Sequence, residues 1–520
     1  MAMRCLPKLS CERFARPQFI KMVFTSWSFA IFLLIVLAGL LVLPGRTAKQ
    51  AFLLVASAFF YAYWNPKYLL LLAAPSLIDY VCALQIAKTE IPARRRTWLL
   101  ISVLTNLGLL GYFKYANFFI DSVSHLFRVT PAHLNVLLPV GISFYTFKTL
   151  SYTIDVYRRE LPACRSLWKY AMFVTYFPEL VAGPIVRASV FLPQMTRSLK
   201  PCWPRTVIGL QLILLGVTKK LGIADRLSPF VDHIFRSPGR FTPGTVILAV
   251  VAYSLQVYCD FSGYSDIAIG VSKIIGFDLP ENFNMPFLAT SITDFWRRWH
   301  ITLSSWLRDY LYIPLGGNRR GKYRTYLNLI VTMLLGGLWH GANWTYVVFG
   351  MLHGAALAIH KLWTEMRHPR AVPSGAGKLT GWFATYVFFC LTLVIFRSPN
   401  FSIASDVLRK VFWLDRGGIE WIYTPLLMLI PIIVLGHVIG VVAQQQLGQK
   451  QSYGLPPSWA QALYRSETKS RFAVRPHKWA GVYFLLPLQS RVGVMAFTFW
   501  IVLAFLFASV ESRPFIYFQF

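Results

Sequence analysis

Charged residues are scarce in this chain, and acidic residues are the scarcest. Only 14% of the 520 residues are charged, with 21 acidic against 52 basic side chains, whereas a soluble domain carries about 25% charged residues. Cysteine is also sparse: the seven cysteines are scattered and include no C-x-x-C pair, so neither a disulfide framework nor a zinc site is indicated. We therefore expect no metal site and no bound cofactor.

Familiar catalytic signatures are missing as well. The chain has no G-x-S-x-G elbow, no P-loop and no Rossmann glycine pattern. No histidine is followed by an aspartate five positions later, as it is in glycerolipid acyltransferases. A catalytic histidine would therefore act as a general base on a nucleophile that the protein does not itself supply.

What the chain has instead is long apolar runs. Hydrophobic residues make up 56% of it, and the mean hydropathy is +0.50. With their flanks, most runs approach the roughly 20 residues that cross a bilayer. This predicts an all-α, polytopic membrane protein. The candidate spans are Trp27–Leu43, Gln50–Trp64, Trp98–Tyr112, Thr206–Val217, Gly244–Tyr258, Leu379–Phe396, Tyr423–Val442 and Val492–Val510.

The net charge of +31 does not indicate nucleic-acid binding, because the basic residues lie in short loops between apolar runs. There they set membrane orientation and meet anionic lipid. Threading the spans between the basic clusters places both chain termini outside. One basic stretch is also predicted outside, where it could attract a polyanion, although solvation of the loop is the simpler interpretation: Lys219, Lys220, Arg226, Arg236 and Arg240.

Two segments are predicted to be broken or re-entrant helices, because prolines and glycines interrupt them: Trp168–Val186 and Asn282–Pro314. We expect residues 22–396 to form a membrane core. Residues 397–520 would add two further transmembrane helices, joined by a cytoplasmic loop near 444–478. Residues 1–21 form a basic extension with no signal-peptide pattern. We expect Met22 to be the working initiator; the alternative is that the extension flips or drags the first span.

In the largely apolar stretch Leu327–Gly350, His340 is the only ionisable residue apart from a tyrosine. Ionisable residues inside membranes are rare and start as functional-site hypotheses. In a helix that begins near Arg324, His340 lies about 24 Å along the axis, past the midplane and toward the outer face. Asn343 could donate a hydrogen bond near it. His300 lies between Arg298 and Arg308, so it is predicted at the inner face, and the two histidines would mark opposite ends of a path.

A structural interpretation competes with catalysis at each of these positions. A lone membrane histidine can simply bond to another helix, and His353, His360 and His437 are interpreted as structural by default. Asp260 and Asp266 lie in an apolar run and must be satisfied by hydroxyl groups or an arginine. They could line a polar pocket, but a structural network is favoured.

Six longer runs of sequence are distinctive. They are PVGISFYTFKTLSYTIDVYR (Pro139–Arg158), VAGPIVR (Val181–Arg187), DFSGYSDIAIG (Asp260–Gly270), ENFNMPF (Glu281–Phe287), DFWRRWHITLSSWLRDYLYIPLGGNRRG (Asp294–Gly321) and MLLGGLWHGANWT (Met333–Thr345). These runs resemble the membrane-bound O-acyltransferase (MBOAT) family, specifically its bacterial alginate O-acetylase branch. The resemblance extends from Met22 to Phe520.

The resemblance implies a ring of tilted helices, with His340 as catalytic residue and His300 as the second family histidine. It implies O-acetylation of an exported polysaccharide, alginate or a cellulose-like polymer, at the bacterial inner membrane. The acetyl donor would be a cytoplasmic thioester such as acetyl-CoA, with Trp296, Arg297 and Arg308 at its entrance. The partners would be a periplasmic SGNH-type acetyltransferase and the polysaccharide biosynthesis complex.

Two alternatives remain open. Within the family, the chain could be a D-alanyl or peptidoglycan acyl exporter. Outside it, the chain could be a transporter that moves an acyl donor or a lipid-linked sugar without chemistry. A transporter should show paired repeats with broken helices in both halves, and no such symmetry is visible in the sequence.

Overall fold

A computed structural model of the chain describes residues 22–180, 183–196, 199, 202–366, 374–449, 486, 488, 490–509, 513 and 515–516. The extension 1–21 and most of the predicted loop 444–478 lie outside the described residues. The described part is helical. Its helices are α1 (Trp27–Val42), α2 (Arg46–Ala62), α3 (Pro66–Lys88), α4 (Pro92–Leu110), α5 (Ala116–Phe127), α6 (Ile142–Tyr157), α7 (Leu167–Thr175), α8 (Phe177–Leu180), α9 (Ala188–Phe191), α10 (Trp203–Val217), α11 (Asp225–Arg236), α12 (Pro243–Ile275), α13 (Ile292–Arg298), α14 (Ile301–Leu307), α15 (Lys322–His340), α16 (Trp344–Met366), α17 (Gly375–Arg397), α18 (Phe401–Val411), α19 (Thr424–Gln449) and α20 (Arg491–Phe507).

Six of the described helical stretches are long and apolar enough to cross a bilayer, and the protein is an all-α, multi-pass membrane protein. Some of these stretches join two helices through a π-helical turn, as α4 and α5 do through Gly111–Tyr115 and α10 and α11 through Thr218–Ala224. The six are Pro66–Lys88, Pro92–Phe127, Trp203–Arg236, Pro243–Ile275, Trp344–Met366 and Gly375–Arg397.

The helix breaks predicted in two segments are present. In the first, α7 ends at Thr175, the short α8 follows, and residues 183–187 run on without regular helix. In the second, the chain passes through a 3₁₀ turn (Pro286–Leu288), α13, α14 and a π-helical turn (Arg308–Tyr312). Both segments carry buried residues, as irregular backbone at membrane depth requires.

The expectation of one continuous span over Leu327–Gly350 is wrong. Helix α15 ends at His340, the chain turns at residues 341–343, and α16 runs back along α15 as a hairpin. The two helices approach closely because Gly337 faces Gly350. A Cβ on Gly337 would lie 2.2 Å from the Tyr346 carbonyl oxygen, so no larger residue fits there. His340 therefore lies at the tip of a hairpin whose first helix is about 28 Å long.

Helix α12 is the most deeply buried of the long helices. Its residues Asp260 and Asp266 face the π-helical turn Thr218–Ala224, whose Lys219 and Lys220 pair with them. These lysines were predicted in a solvated outer loop, and that prediction is wrong. Widening of the helix at the π-helical turn places both side chains against α12 instead.

Phe515 and Ile516 pack against the same part of α12. The backbone N–H of Ile516 donates to Asp260 at 2.8 Å, and the Phe515 ring lies 4.5 Å from that of Tyr264. Phe24, near the start of the described chain, contacts the other side of Tyr264. The boundary predicted after residue 396 stays a prediction, but the C-terminal residues contribute directly to packing around α12.

Candidate active site

The two candidate histidines flank one tryptophan. The ring centroid of Trp339 lies 5.9 Å from that of His300 and 5.1 Å from that of His340. The two imidazoles are therefore at most about 11 Å apart. The expectation that they mark opposite ends of a path is wrong, because the broken segment that carries His300 folds inward instead of lying at the membrane surface.

His300 is fully buried and begins α14. Its Nδ1 lies 3.1 Å from Oδ1 of Asn282, and its ring makes an edge-to-face contact with Phe261 at 4.6 Å. Asn282 also accepts a hydrogen bond from the Thr302 hydroxyl, which in turn accepts one from the backbone N–H of Ile185. Residues from four of the runs that carry the family resemblance thus meet around this one imidazole.

His340 is buried at the end of α15 against the rings of Phe349 and Phe396, whose centroids lie 6.1 and 5.3 Å away. The last carbonyl groups of a helix lack partners within it. Here the Lys114 ammonium donates to the carbonyls of Trp339 and His340, and the Tyr115 hydroxyl donates to that of Leu338. A cation at a helix C-terminus also opposes the helix dipole favourably, so this cap fixes the backbone that carries His340.

A cavity of about 730 Å³ lies between α13, α14, the π-helical turn after α14, α15 and α16. Trp296, Arg297 and Arg308, which were predicted at a donor entrance, all line it. The cavity lies toward the Lys322 end of the hairpin, since it is also lined by Leu357, His360, Lys361 and Thr364 in the last turns of α16.

Two helices that line the cavity, α14 and α15, have the histidines at one end: His300 precedes α14 and His340 ends α15. On α14, Ser304 lines the cavity, and its backbone N–H donates to the carbonyl of His300 one turn earlier. On α15, Thr332 lines the cavity, and Gly336 and His340 follow at four-residue spacing on the same face. His340 is therefore about 12 Å beyond Thr332 along the helix axis.

The cavity is lined by three cationic side chains, and their surroundings differ. Arg308 is paired with Asp309, and Lys361 with Glu365 one turn away. Burial favours the neutral form of the Asp309 carboxyl, but hydrogen bonds from Arg308 and Arg187 outweigh it and hold its pKa below the usual range. Within the described part of the chain, Arg297 has no ion-pair partner, so its charge is the most available to an anionic ligand.

Three other predicted site residues do not reach the cavity. Asn343 donates to the carbonyl of Pro399 and accepts from the backbone N–H of Thr345, so it caps α16. Asp260 is held by Lys220 and by the N–H of Ile516, and Asp266 by Lys219. The two carboxylates form the structural network that the sequence favours, with lysines in place of the expected hydroxyl groups or arginine.

His353 has a fixed hydrogen-bonding role. The Trp296 indole N–H can only donate, so His353 Nδ1 accepts from it at 3.2 Å. The proton of the neutral ring is then on Nε2, which donates to the Thr392 hydroxyl at 3.0 Å. This histidine joins α13, α16 and α17, in agreement with its structural interpretation.

Lys114 and Asn282 were not identified as site residues from the sequence. Lys114 follows a predicted span and lies among aromatic residues, a pattern typical of any membrane interface. Asn282 belongs to a run quoted for the resemblance, but nothing in its spacing connects it to His300. Only the three-dimensional contacts show the link.

Comparison with known proteins identifies a family for this chain. Residues 155–399 match the model of MBOAT, the membrane-bound O-acyltransferase family. The chain is 43% identical over 396 residues to the probable alginate O-acetylase AlgI of Pseudomonas aeruginosa, covering 75% of each chain. It is 38% identical over 511 residues to the protein of the same name from Azotobacter vinelandii, covering 96% of this chain and all of that one. It is also 38% identical over 392 residues to the peptidoglycan O-acetyltransferase of Helicobacter pylori, covering 70% and 74%.

The matches and the helical membrane fold define the class of the protein, a membrane-embedded acyltransferase. The chain belongs to the membrane-bound O-acyltransferase family. Enzymatic transfer of an acyl group to oxygen is therefore its activity, and the alternative of a transporter without chemistry is not supported.

Proposed function

We propose that the protein transfers an acetyl group from a cytoplasmic thioester, such as acetyl-CoA, toward an exported polysaccharide at the bacterial inner membrane. The observation that carries this proposal is the cavity. Its walls on α14 and α15 continue, within one or two turns, to His300 and His340. A thioester that enters the cavity would be guided to the two imidazoles.

The cavity suits the polar part of such a donor. Arg297, Arg308 and Lys361 supply positive charge for phosphate groups, which bind arginine through charge-assisted hydrogen bonds. Deeper in, Leu307 and Met333 supply an apolar lining for a pantetheine arm. This division matches a ligand with a charged head and a long, weakly polar tail.

The chemistry needs no metal or nucleotide, because a thioester is already activated. We propose that His340, as a neutral base, takes the proton of an acceptor hydroxyl while the hydroxyl oxygen attacks the thioester carbonyl. The tetrahedral intermediate then expels the thiolate, which receives the proton from His340. General-base catalysis of this kind typically contributes about 10²–10⁴-fold to the rate.

The acceptor is proposed to be a polysaccharide, or a periplasmic SGNH-type acetyltransferase that passes the acetyl group to one. The names of the relatives support a polysaccharide as the acceptor: one is a probable alginate O-acetylase and another a peptidoglycan O-acetyltransferase. Because the relatives named for alginate and for peptidoglycan are similarly close to this chain, alginate is proposed on the greater number of matches alone.

Accessibility labelling tests the passage across the membrane. Cysteines are introduced singly at Ser304, which lines the cavity, and at Asn343, at the hairpin tip. In the background, Cys5, Cys11, Cys164 and Cys202 are replaced by serine. The other three cysteines are buried: Cys82, Cys259 and Cys390. Each variant must first show normal polymer acetylation, so that labelling reports on an active protein.

A membrane-impermeant maleimide should label position 304 only from the cytoplasmic side and position 343 only from the periplasmic side. If both positions are labelled only from the cytoplasmic side, the cross-membrane mechanism is wrong. The protein would then acetylate a precursor in the cytoplasm.

A further inference from the structure

Asn282 holds the loop before α13 against the start of α14. It is buried, and both of its carbonyl oxygens are used. The backbone oxygen accepts from the N–H of Ile301 at 2.9 Å. The side-chain Oδ1 accepts from the N–H and the hydroxyl of Thr302, at 3.3 and 2.8 Å, and also lies 3.1 Å from Nδ1 of His300.

These contacts determine where the proton of a neutral His300 sits. A backbone N–H can only donate, so the atom that faces Thr302 N must be the amide oxygen of Asn282 and not its nitrogen. An oxygen acceptor 3.1 Å from Nδ1 requires that Nδ1 carry the hydrogen. A neutral imidazole has one N–H, so the basic lone pair is on Nε2.

We infer that Asn282 is a positioning residue, which holds His300 in the Nδ1–H form so that Nε2 serves as a base. This inference rests on the proposed function. The contacts show a buried, hydrogen-bonded histidine, and the inference assigns that histidine a role in acyl transfer. It also predicts that the reaction uses both imidazoles, with His300 and His340 on either side of Trp339.

The backbone conformation of His300 indicates a functional constraint and not incidental packing. Its φ of 42° lies in the left-handed region, which residues other than glycine rarely adopt because it is strained. The backbone N–H groups of Ile301 and Thr302, which both donate to Asn282, hold the helix start in this conformation. Such strain is retained mostly where function needs a fixed geometry.

The groups that surround the His300 ring make a titration test interpretable. Helix α12 presents Phe261, the loop after it presents Phe283, and α15 presents Trp339. Among the described residues, a titratable neighbour is His340, which contacts the same tryptophan. A new carboxylate at position 282 would therefore act mainly on His300.

Three variants of the full-length protein test the inference in cells that make the polymer: Asn282→Ala, Asn282→Asp and Thr302→Val. Thr302→Val is the matched control, because it removes one hydroxyl from the same network but leaves the bond between Asn282 and His300. Acetyl content per membrane-inserted protein is the readout, and it does not depend on which thioester is the donor. Asn282→Ala should lower it about 10²-fold, the low end of a lost base. Thr302→Val should stay within about tenfold of wild type, because it loses the two neutral hydrogen bonds of the hydroxyl and none to His300.

Asn282→Asp separates positioning from simple helix capping. Aspartate accepts the same hydrogen bonds, so acetylation should be largely retained. Its charge stabilises protonated His300, so the acid limb of the pH–rate profile should move to higher pH. The profile is measured in membrane vesicles with acetyl-CoA as the probe.

Three outcomes would overturn the inference. They are near-normal acetylation in Asn282→Ala, equal losses in Asn282→Ala and Thr302→Val, and an unmoved acid limb in Asn282→Asp. Should Asn282→Ala fail to accumulate, the aspartate and valine variants decide. Normal acetylation in His300→Ala and His340→Ala would instead contradict the proposed function itself.

Discussion

Two polar regions lie inside this membrane protein, and they solve the problem of burial differently. Around Lys220, charges are paired: its ammonium lies 2.7 Å from Asp225 and 2.5 Å from Asp260. Around Trp339, the buried polar side chains of His300 and His340 are imidazoles enclosed by aromatic rings beside a cavity. The first arrangement neutralises charge in place, whereas the second keeps a group that can take up and release a proton.

The difference indicates which polar group is available for chemistry. A buried carboxylate that holds a lysine and a backbone N–H has its hydrogen-bonding capacity occupied by structure. A neutral imidazole that donates from one ring nitrogen carries its basic lone pair on the other. We therefore assign stability to the Lys220 region and catalysis to the Trp339 region, and the following experiments are designed to break or sharpen that division.

The largest expected effect is a loss of folded protein in Lys220→Met. Removal of the ammonium leaves Asp225 and Asp260 buried without their cation, which typically costs about 3–5 kcal/mol. Membrane-inserted protein should fall strongly, as measured by immunoblot and by thermal melting in detergent. The triple variant with Asp225→Asn and Asp260→Asn should recover much of the loss. Normal abundance of Lys220→Met together with lost acetylation would show that the Lys220 region takes part in catalysis, and it would contradict the division.

The next prediction compares two adjacent glycines on α15. A Cβ at Gly337 meets backbone atoms of α16 at 2.2 and 2.8 Å, so Gly337→Ala should force the hairpin apart and lower abundance. A Cβ at Gly336 meets only the end of the Leu307 side chain, at 2.9 Å. Gly336→Ala should therefore fold, but it narrows the way from the cavity to His340 and should lower acetylation about threefold, the scale of a small overpacking cost. Equal abundance of the two variants would contradict the hairpin packing.

A smaller effect is expected at the cavity entrance. Arg297 has no ion-pair partner in the described residues, whereas Arg308 is bound to Asp309. Arg297→Ala should raise the KM for acetyl-CoA by about threefold to tenfold, the value of one screened phosphate contact. Arg308→Ala should raise it less, and kcat should change little in both, as measured in membrane vesicles. A larger effect at Arg308 would mean that its pair with Asp309 opens when the donor binds.

These contrasts also show how far the sequence alone reaches. The helical membrane fold, the broken segments, and the cavity positions of Trp296, Arg297 and Arg308 follow from apolar runs, prolines and motifs. The placement of Lys219 and Lys220 against α12 could not be predicted from the sequence. Their charge assigns them to a loop, whereas the π-helical turn directs both side chains toward α12. The burial of His300 could not be predicted either, since the same residues could form a broken helix that packs inside the protein or one that lies at its surface.

The smallest expected effect is at the N-terminal extension. Deletion of residues 2–21 should leave membrane insertion and polymer acetylation unchanged, because Met22 and Phe24, which follow the extension, are already packed in the core. Acetyl content at matched protein level is the measurement. Lost activity at equal expression would show that the extension contributes to function.

The central claim is that His340, at the hairpin tip beyond the cavity, carries out the chemistry. The most direct measurement is the acetyl content of exported polymer in cells that carry His340→Ala, at matched levels of membrane-inserted protein, with His353→Ala as the control for loss of a buried structural imidazole. The account predicts that His340→Ala folds, retains its place in the membrane and abolishes acetylation, whereas His353→Ala affects mainly abundance. Normal acetyl content in His340→Ala would contradict it.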